Sequence, residues 1–497
     1  MKAPAIPRLD SRQRVALAAL VLVYAITRAW RLTALPMFFD EAIHLLWAER
    51  WSGSQGLARA LDDGKLLEVA ASGIVLRLVP DPLWAGRFAS VLVGSAGLAA
   101  AFALGRRVGG VPGGLWAAAL AVACPFLLFH ERMALADGFV SAFVAIVLVA
   151  TIRLCDAPRT SRGLALGLAL AAAGAAKVIG LVALVYPPVG VALLARREPR
   201  AWRALAVAWS VAALTLVVPV KVFLARTGQI GEKVALAEND RLALVARNAA
   251  LAAEWLWAYW TPGLVVAGLL ATALALFRRR RLDILLVFAW TFPLAVFVLG
   301  TAVWYPRYVV FITVPFLSLA AGLLAEMHAR ARTRGARAAA LVISAAVFVP
   351  AIAWDARCLR EPSSALLPEI DRWQYVEGWP SGYGWREAFE LLVRERGGAA
   401  RPLRVVTERR HWTLKAYFIG RPDVAVKGFD LDSLASIEKA LSWVGGGEGW
   451  LVTSGPRPAH LPPGVALRHA SGFTKPDGGG AVNVYRLEIG EVGRAPR

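Results

Sequence analysis

The run V-A-L-A-A-L-V-L-V-Y-A-I-T-R-A-W-R-L-T-A-L, Val15 to Leu35, passes almost directly into M-F-F-D-E-A-I-H-L-L-W-A-E-R-W, Met37 to Trp51. The first run is long and apolar enough to span a bilayer. No small-residue cleavage site follows it, so it reads as a signal-anchor helix behind a short basic tail, Lys2 to Arg14. The second stretch opens with two adjacent carboxylates, Asp40 and Glu41, at the expected membrane edge. Read as a helix, it puts Asp40, His44, Trp47 and Trp51 on one face. A carboxylate that holds or deprotonates a hydroxyl, beside rings that pack on a sugar, suits an enzyme of membrane-linked sugars. The competing reading is an interfacial helix with Trp anchors and surface acids.

Composition extends the membrane reading to most of the chain. Its 497 residues are 58% hydrophobic, with a mean hydropathy of +0.54. The net charge of +21 comes mostly from arginine. Those arginines cluster between apolar runs, where positive-inside topology places them, so a nucleic-acid partner is excluded. Cys124, Cys155 and Cys358 imply no disulfide framework and no metal spacing.

In chain order, spans are expected at about 15–35, 85–104, 112–129, 138–154, 204–224, 254–277, 282–299, 309–327 and 341–354. The stretch 163–195 is long enough for two short spans, broken near Lys177, or for one. Every second connection is arginine-rich: Arg106–Arg107, Arg153 to Arg162, Arg196 to Arg203, Arg278 to Arg281, Arg330 to Arg337. The others hold Asp40, Glu41, Asp137, Lys177, a mixed segment at 225–253 and W-Y-P-R-Y at Trp304–Tyr308. The expectation is a mainly α, polytopic helical membrane domain over 1–354, with about 11 spans and a first external loop at 36–85. An extracytoplasmic α/β domain follows over 355–497. Strand-like runs at 403–407, 424–427, 450–453 and 482–487 alternate with helix-like runs at 385–396, 411–418 and 431–444, which predicts a largely parallel sheet. The triple glycines at 445–447 and 478–480 read as turns. His411, His460 and His469 form no cluster in the sequence.

Charges at membrane depth are expensive, about 2.5–3.5 kcal/mol each at a helix centre. The set opposite the arginine-rich connections holds acids (Asp40, Glu41, Asp137) and bases (Lys65, Arg132, Lys177, Arg307). Such a mix suits a reaction with a nucleophile to activate and an anionic leaving group to hold. Arg307 offers a fork to phosphate and Lys65 a point charge, with Tyr305 and Tyr308 as flanking hydroxyls. For several of these a structural role stands open: Asp137 as a helix N-cap, Arg132 as a headgroup anchor, Lys177 as a snorkelling side chain, His130 as an interfacial residue.

D-E after the first span, D-G-K-L-L-E at 63–68, R-M-A-L-A-D at 132–137 and P-R-Y at 306–308 together resemble glycosyltransferase family 39. Its relatives are the GT-C transferases, including protein O-mannosyltransferases and the lipid A aminoarabinose transferase. Tyr375–Gly384 and Phe473–Gly480 also look like the tails of bacterial members. The resemblance implies a polyprenyl-phosphate sugar donor, an inverting transfer outside the cytoplasm and a multi-pass protein of the cytoplasmic membrane. It implies a glycolipid, glycan or protein acceptor. Asp40 matches the family's loop acid and Glu41 its partner. Lys65, Arg132, Lys177, Arg307 and Tyr308 are the implied donor-phosphate contacts. His44, Trp47, Asp137 and Tyr305 are the candidates toward sugar or acceptor. A divalent metal on Glu41 or His44 stays an open alternative, as does a transporter or flippase of lipid-linked sugars, which would show two matching halves with matching broken helices.

Overall fold

The computed structural model describes residues 9–51, 54–225, 240–396, 402–408, 412–445, 448–455, 457–458 and 461–489. Residues 226–239 of the 225–253 segment, His411, His460 and part of the 445–447 glycine run lie outside them. The chain divides into two compact units. One comprises Met1–Leu32, Gly53–Ser72 and Arg87–Pro368; the other comprises Thr33–Ser52, Gly73–Gly86 and Glu369–Arg497.

The first unit is a helical membrane body. Helix α1 (Ser11–Ala29) begins at a capping box, Asp10 Oδ1 accepting from Gln13 N at 2.8 Å and Gln13 Oε1 from Asp10 N at 3.1 Å. It is shorter at its end than the expected 15–35 span. Trp30 turns extended and Arg31 adopts a left-handed φ of 45°. Expected spans 85–104 and 112–129 form one stretch, Pro82–Ala123, that is non-helical at Gly109 and Gly110. Its two arms pack closely: a Cβ on Gly105 would lie 2.5 Å from Gly113 O and 2.3 Å from Ala117 Cβ. Glycine lets the two backbones touch, as small residues do between membrane helices.

A short helix Pro125–Glu131 leads to helix α7 (Ala136–Asp156). The break expected near Lys177 is present. Helix Thr160–Ala176 stops at Lys177, whose backbone is extended (φ −165°, ψ 145°), and a 3-10 turn Val178–Val185 and helix Tyr186–Leu194 continue it. Helices Pro199–Leu224, Arg241–Arg278, Arg281–Gly300, Thr313–Arg330 and Arg334–Arg360 complete the body. Seven described helical stretches are long and apolar enough to cross a membrane. Counting both arms of Pro82–Ala123, α1 and the two short helices around Lys177, the body accommodates the expected eleven. The chain is thus a mainly α, multi-pass membrane protein with a small sheet domain.

Charge is sorted along this body. At one end of α7, Asp156 pairs with Arg107, and Arg153 and Arg162 bear on the same guanidinium. At the other end sits Asp137, about 29 Å away at the rise of an α-helix.

The second unit carries a five-stranded sheet, β1 (Leu403–Glu408), β2 (Val424–Phe429), β3 (Glu448–Thr453), β4 (Val465–Thr474) and β5 (Ala481–Ile489), in the order β2-β1-β3-β5-β4. The expectation of a largely parallel sheet is corrected. β1 runs parallel to β2 and β3, but β3–β5 and β4–β5 are antiparallel. A short turn joins β4 to β5, and such a turn can only close an antiparallel pair. Gly478 and Gly480 take φ of 77° and 110° in it, as a tight reversal needs. β4 was not anticipated because it is a largely exposed edge strand with little apolar signal. Helices Trp385–Arg396, Trp412–Tyr417 and Leu434–Val444 lie within a residue or three of the expected segments. The 36–85 segment contains helices Phe39–Glu49, Ser54–Asp62 and Leu66–Leu76.

Candidate active site

The Met37–Trp51 stretch forms helix α2 (Phe39–Glu49) in the second unit. Asp40 lies in its first turn, half-buried, where the helix dipole favours a carboxylate. Glu41 is fully buried and closes the N-terminus, its Oε2 accepting from Phe38 N at 2.9 Å. His44 stacks on Trp47 with ring centroids 5.6 Å apart. The expected face therefore holds for Asp40, His44 and Trp47. Trp51 lies beyond the helix end and packs instead around Gly73.

Residues from the tail fix this helix; sequence reasoning singled out the Tyr375–Gly384 run among them but not Tyr417 or Arg386. Tyr417 Oη accepts from Met37 N at 2.8 Å. Arg386 donates to the carbonyls of Ala34 and Leu35 at 3.0 and 3.2 Å, and to Thr33 O. Phe38 meets Tyr375 edge to face at 4.7 Å, and Phe39 meets Trp379 at 5.0 Å. The Tyr375–Gly384 run thus packs on the entry to α2. No local pattern announces contacts made across more than 300 residues.

The first unit gathers a second group. Asp137, in the first turn of α7, is not the N-cap, a place that Leu135 takes without a side-chain bond. Its carboxylate accepts from Lys177 Nζ at 2.7 Å, with the two side chains 4% and 16% exposed. The break in the helix at Lys177 is what brings the ammonium here. That ammonium also lies 4.3 Å from the centroid of the Tyr308 ring. Arg307, 6% exposed, stands over Tyr305 at 4.7 Å and Tyr308 at 5.5 Å. Cation–π contacts of this kind contribute about 0.5–2 kcal/mol.

The W-Y-P-R-Y turn is pinned from behind. Trp304 packs on Trp255 at 4.6 Å, and its Nε1 donates to Asn248 Oδ1 at 3.1 Å. Asn248 Nδ2 in turn donates to Thr301 O at 2.8 Å.

His130 is buried beside Phe126, Phe129 and Tyr259. Its ring nitrogens have no hydrogen-bond partner among the described residues. Burial lowers its imidazole to about 3, Asp137 opposing and Arg307 and Lys177 assisting. It is neutral at ordinary pH, so the charged side chains here are Asp137, Lys177 and Arg307.

Lys65 follows Gly64, whose φ is +63° and whose Cβ would fall 2.6 Å from Val178 Cγ2. That contact places the D-G-K turn beside the break at Lys177. Arg132 is engaged differently. Its guanidinium donates to the carbonyls of Thr27, Arg28, Trp30 and Arg31 at 2.6 to 3.2 Å, satisfying the open end of α1. Arg28, fully buried, pairs with Glu131 at 3.1 Å and donates to Val122 O at 2.7 Å. Sequence reading passed over Arg28, since an arginine near a span end reads as a topology signal. Among the described residues, no three His, Cys, Asp or Glu side chains gather as metal ligands. Glu41 is instead occupied in a cap and His44 in a ring stack.

Residues 70–223 match the family model described as dolichyl-phosphate-mannose-protein mannosyltransferase. That segment contains Arg132, Asp137 and Lys177, but not Asp40, Lys65 or Arg307. No curated protein matches the chain. Solved structures do. ArnT from Cupriavidus metallidurans in its apo state is similar over 97% of this chain and 100% of its own, at 16% identity and a TM-score of 0.58. The same protein bound to undecaprenyl phosphate aligns over 97% and 99%, at 15% identity and a TM-score of 0.57. The oligosaccharyltransferase AglB from Archaeoglobus fulgidus, in complex with an inhibitory peptide and a dolichol-phosphate, aligns over 89% of this chain and 69% of its own, at 11% identity and a TM-score of 0.53. Matched along nearly the whole chain, this protein has the fold of ArnT, with helices long enough to cross a membrane and a small sheet domain.

Proposed function

We propose that the protein transfers a sugar from a polyprenyl-phosphate donor to an extracytoplasmic acceptor, with inversion at the anomeric carbon. The observation that carries this reading is the cluster in which Lys177 meets Asp137 and the Tyr308 ring while buried Arg307 stands over Tyr305 and Tyr308. An ammonium and a guanidinium gathered this closely suit a lipid phosphate, the one as a point charge and the other as a fork.

In the transfer, the acceptor oxygen attacks the anomeric carbon opposite the phosphate. The bond from that carbon to the phosphate oxygen breaks, and the electron pair leaves with the polyprenyl phosphate. Lys177 and Arg307 stabilise the charge that grows there. Asp40 takes the proton of a hydroxyl acceptor as general base, or orients the acceptor if it is itself a phosphate. Lys65 adds a point charge beside the donor, and Tyr308 a hydroxyl. Arg132 acts as a positioning residue through the end of α1. The reaction lies on the side of the membrane away from the arginine-rich connections, in the cytoplasmic membrane. Acceptors of glycolipid, glycan or protein type all fit.

The test is transfer of radiolabelled sugar from a polyprenyl phosphate in membranes carrying Asp40→Asn or Arg307→Gln. Each folded variant should lose about a hundredfold or more in rate. Undiminished transfer by both would overturn the reading.

A further inference from the structure

A cavity opens at the arginine-rich end of the membrane body. Its volume is about 310 Å³. Its walls are the bend at Val108–Pro112, the last turns of Arg241–Arg278 and Thr313–Arg330, and the first turn of Arg281–Gly300. The bend sits directly on Thr313–Arg330: a Cβ on Gly322 would lie 2.4 Å from Val108 Cγ1. Arg279, with a left-handed φ of 53°, ends one helix and turns the chain so that Arg280 and Asp283 reach the same opening.

The charges there are unevenly used. Glu326 is fully engaged: Arg278 grips it with two bonds of 2.5 and 2.8 Å, and Arg330 adds a third contact at 2.5 Å. Arg280 and Asp283 are left over. Both line the cavity, and Arg280 and Arg278 bear on Asp283 electrostatically, yet no side-chain hydrogen bond or ion pair joins Arg280 or Asp283 to a described residue. The Asp283 side chain is nonetheless deeply buried, the residue 8% exposed. A carboxylate so placed is costly unless something positive completes it.

Leu274, Leu319 and Leu323 form the apolar floor. Beside it, Phe277 and Leu270 present 84% and 58% of their surface outward, as lipid-facing side chains do. An exposed guanidinium and a buried acid with no direct ion pair, set over an apolar floor, complement a head that carries a phosphate and an ammonium together.

We propose that this cavity binds a zwitterionic phospholipid, its phosphate on Arg280 and its primary ammonium on Asp283, with an acyl chain along the outer face of Arg241–Arg278. The site is separate from the Asp137–Lys177–Arg307 group and does not depend on the transfer reaction.

The experiment is native mass spectrometry of the detergent-purified full chain, titrated with phosphatidylethanolamine, phosphatidylcholine or phosphatidylglycerol of matched acyl chains. Phosphatidylethanolamine should bind saturably, about tenfold tighter than phosphatidylcholine, whose quaternary nitrogen offers no hydrogen-bond donor. Arg280→Gln and Asp283→Asn should each weaken it about tenfold, and Arg332→Gln should not. Arg280 is exposed, so its variant is expected to fold even if Asp283→Asn does not. Equal binding of all three lipids, preference for phosphatidylglycerol, or indifference to Arg280→Gln would overturn the proposal.

Discussion

The Asp137–Lys177 ion pair shows how one residue can be legible in sequence while its role is not. Lys177 marks a break in an apolar run, and that much is readable from Gly163 to Ala195. Its partner Asp137, 40 positions earlier, is not. Removing one member of a buried pair costs about 3–5 kcal/mol, because the other charge stays buried. Lys177→Met should therefore lower the thermal midpoint of the detergent-solubilised protein steeply. The double variant Asp137→Asn/Lys177→Met should recover most of that loss without recovering sugar transfer. A double variant no more stable than the single one would show that the pair does not couple. Arg132 and Arg28 teach the converse lesson. Arg132 stands where a headgroup anchor is expected and Arg28 where a topology signal is, yet backbone carbonyls take up Arg132, and Glu131 and backbone carbonyls take up Arg28.

At the scale of elements, two features make quantitative demands. The two arms of Pro82–Ala123 meet backbone to backbone at Gly105. Gly105→Ala should lower the yield of monodisperse protein on size-exclusion chromatography, whereas Gly300→Ala, where a Cβ would meet nothing within 4 Å, should not. In the sheet domain, Lys475 is buried and donates to Gly378 O at 2.6 Å, and burial lowers its amine to about 8. A lysine depressed on folding costs stability wherever it is charged in both states. The cost is complete below about 8 and vanishes above the ordinary lysine value of about 10.4. Domain stability should thus rise between those pH values. The difference in melting midpoint between Lys475→Met and the parent, read by near-ultraviolet circular dichroism, should change across that window and stay level below it. Helices of this domain were legible because amphipathic periodicity is local. Edge strand β4 was not, because its residues are mostly exposed.

For the whole molecule, the alternation of arginine-rich and arginine-poor connections makes a topological demand. With Cys155 replaced by serine, Arg468→Cys in the sheet domain should react with a membrane-impermeant maleimide in intact cells. Arg334→Cys should react only after permeabilisation. The opposite pattern would invert the proposed orientation and remove the transfer from the extracytoplasmic side.

Apolar run length, arginine spacing and short strand-like runs, all local quantities, sufficed to determine a multi-pass helical body, the break at Lys177 and the existence of a sheet domain. They sufficed because water and lipid act on each segment where it stands. The tertiary structure alone decided that Tyr417 and Arg386 hold the entry to the Asp40 helix, that Lys177 meets Asp137, and that Arg132 closes the first helix. Those contacts join residues tens to hundreds of positions apart, and a buried polar group takes whichever partner the packed fold brings within hydrogen-bond reach.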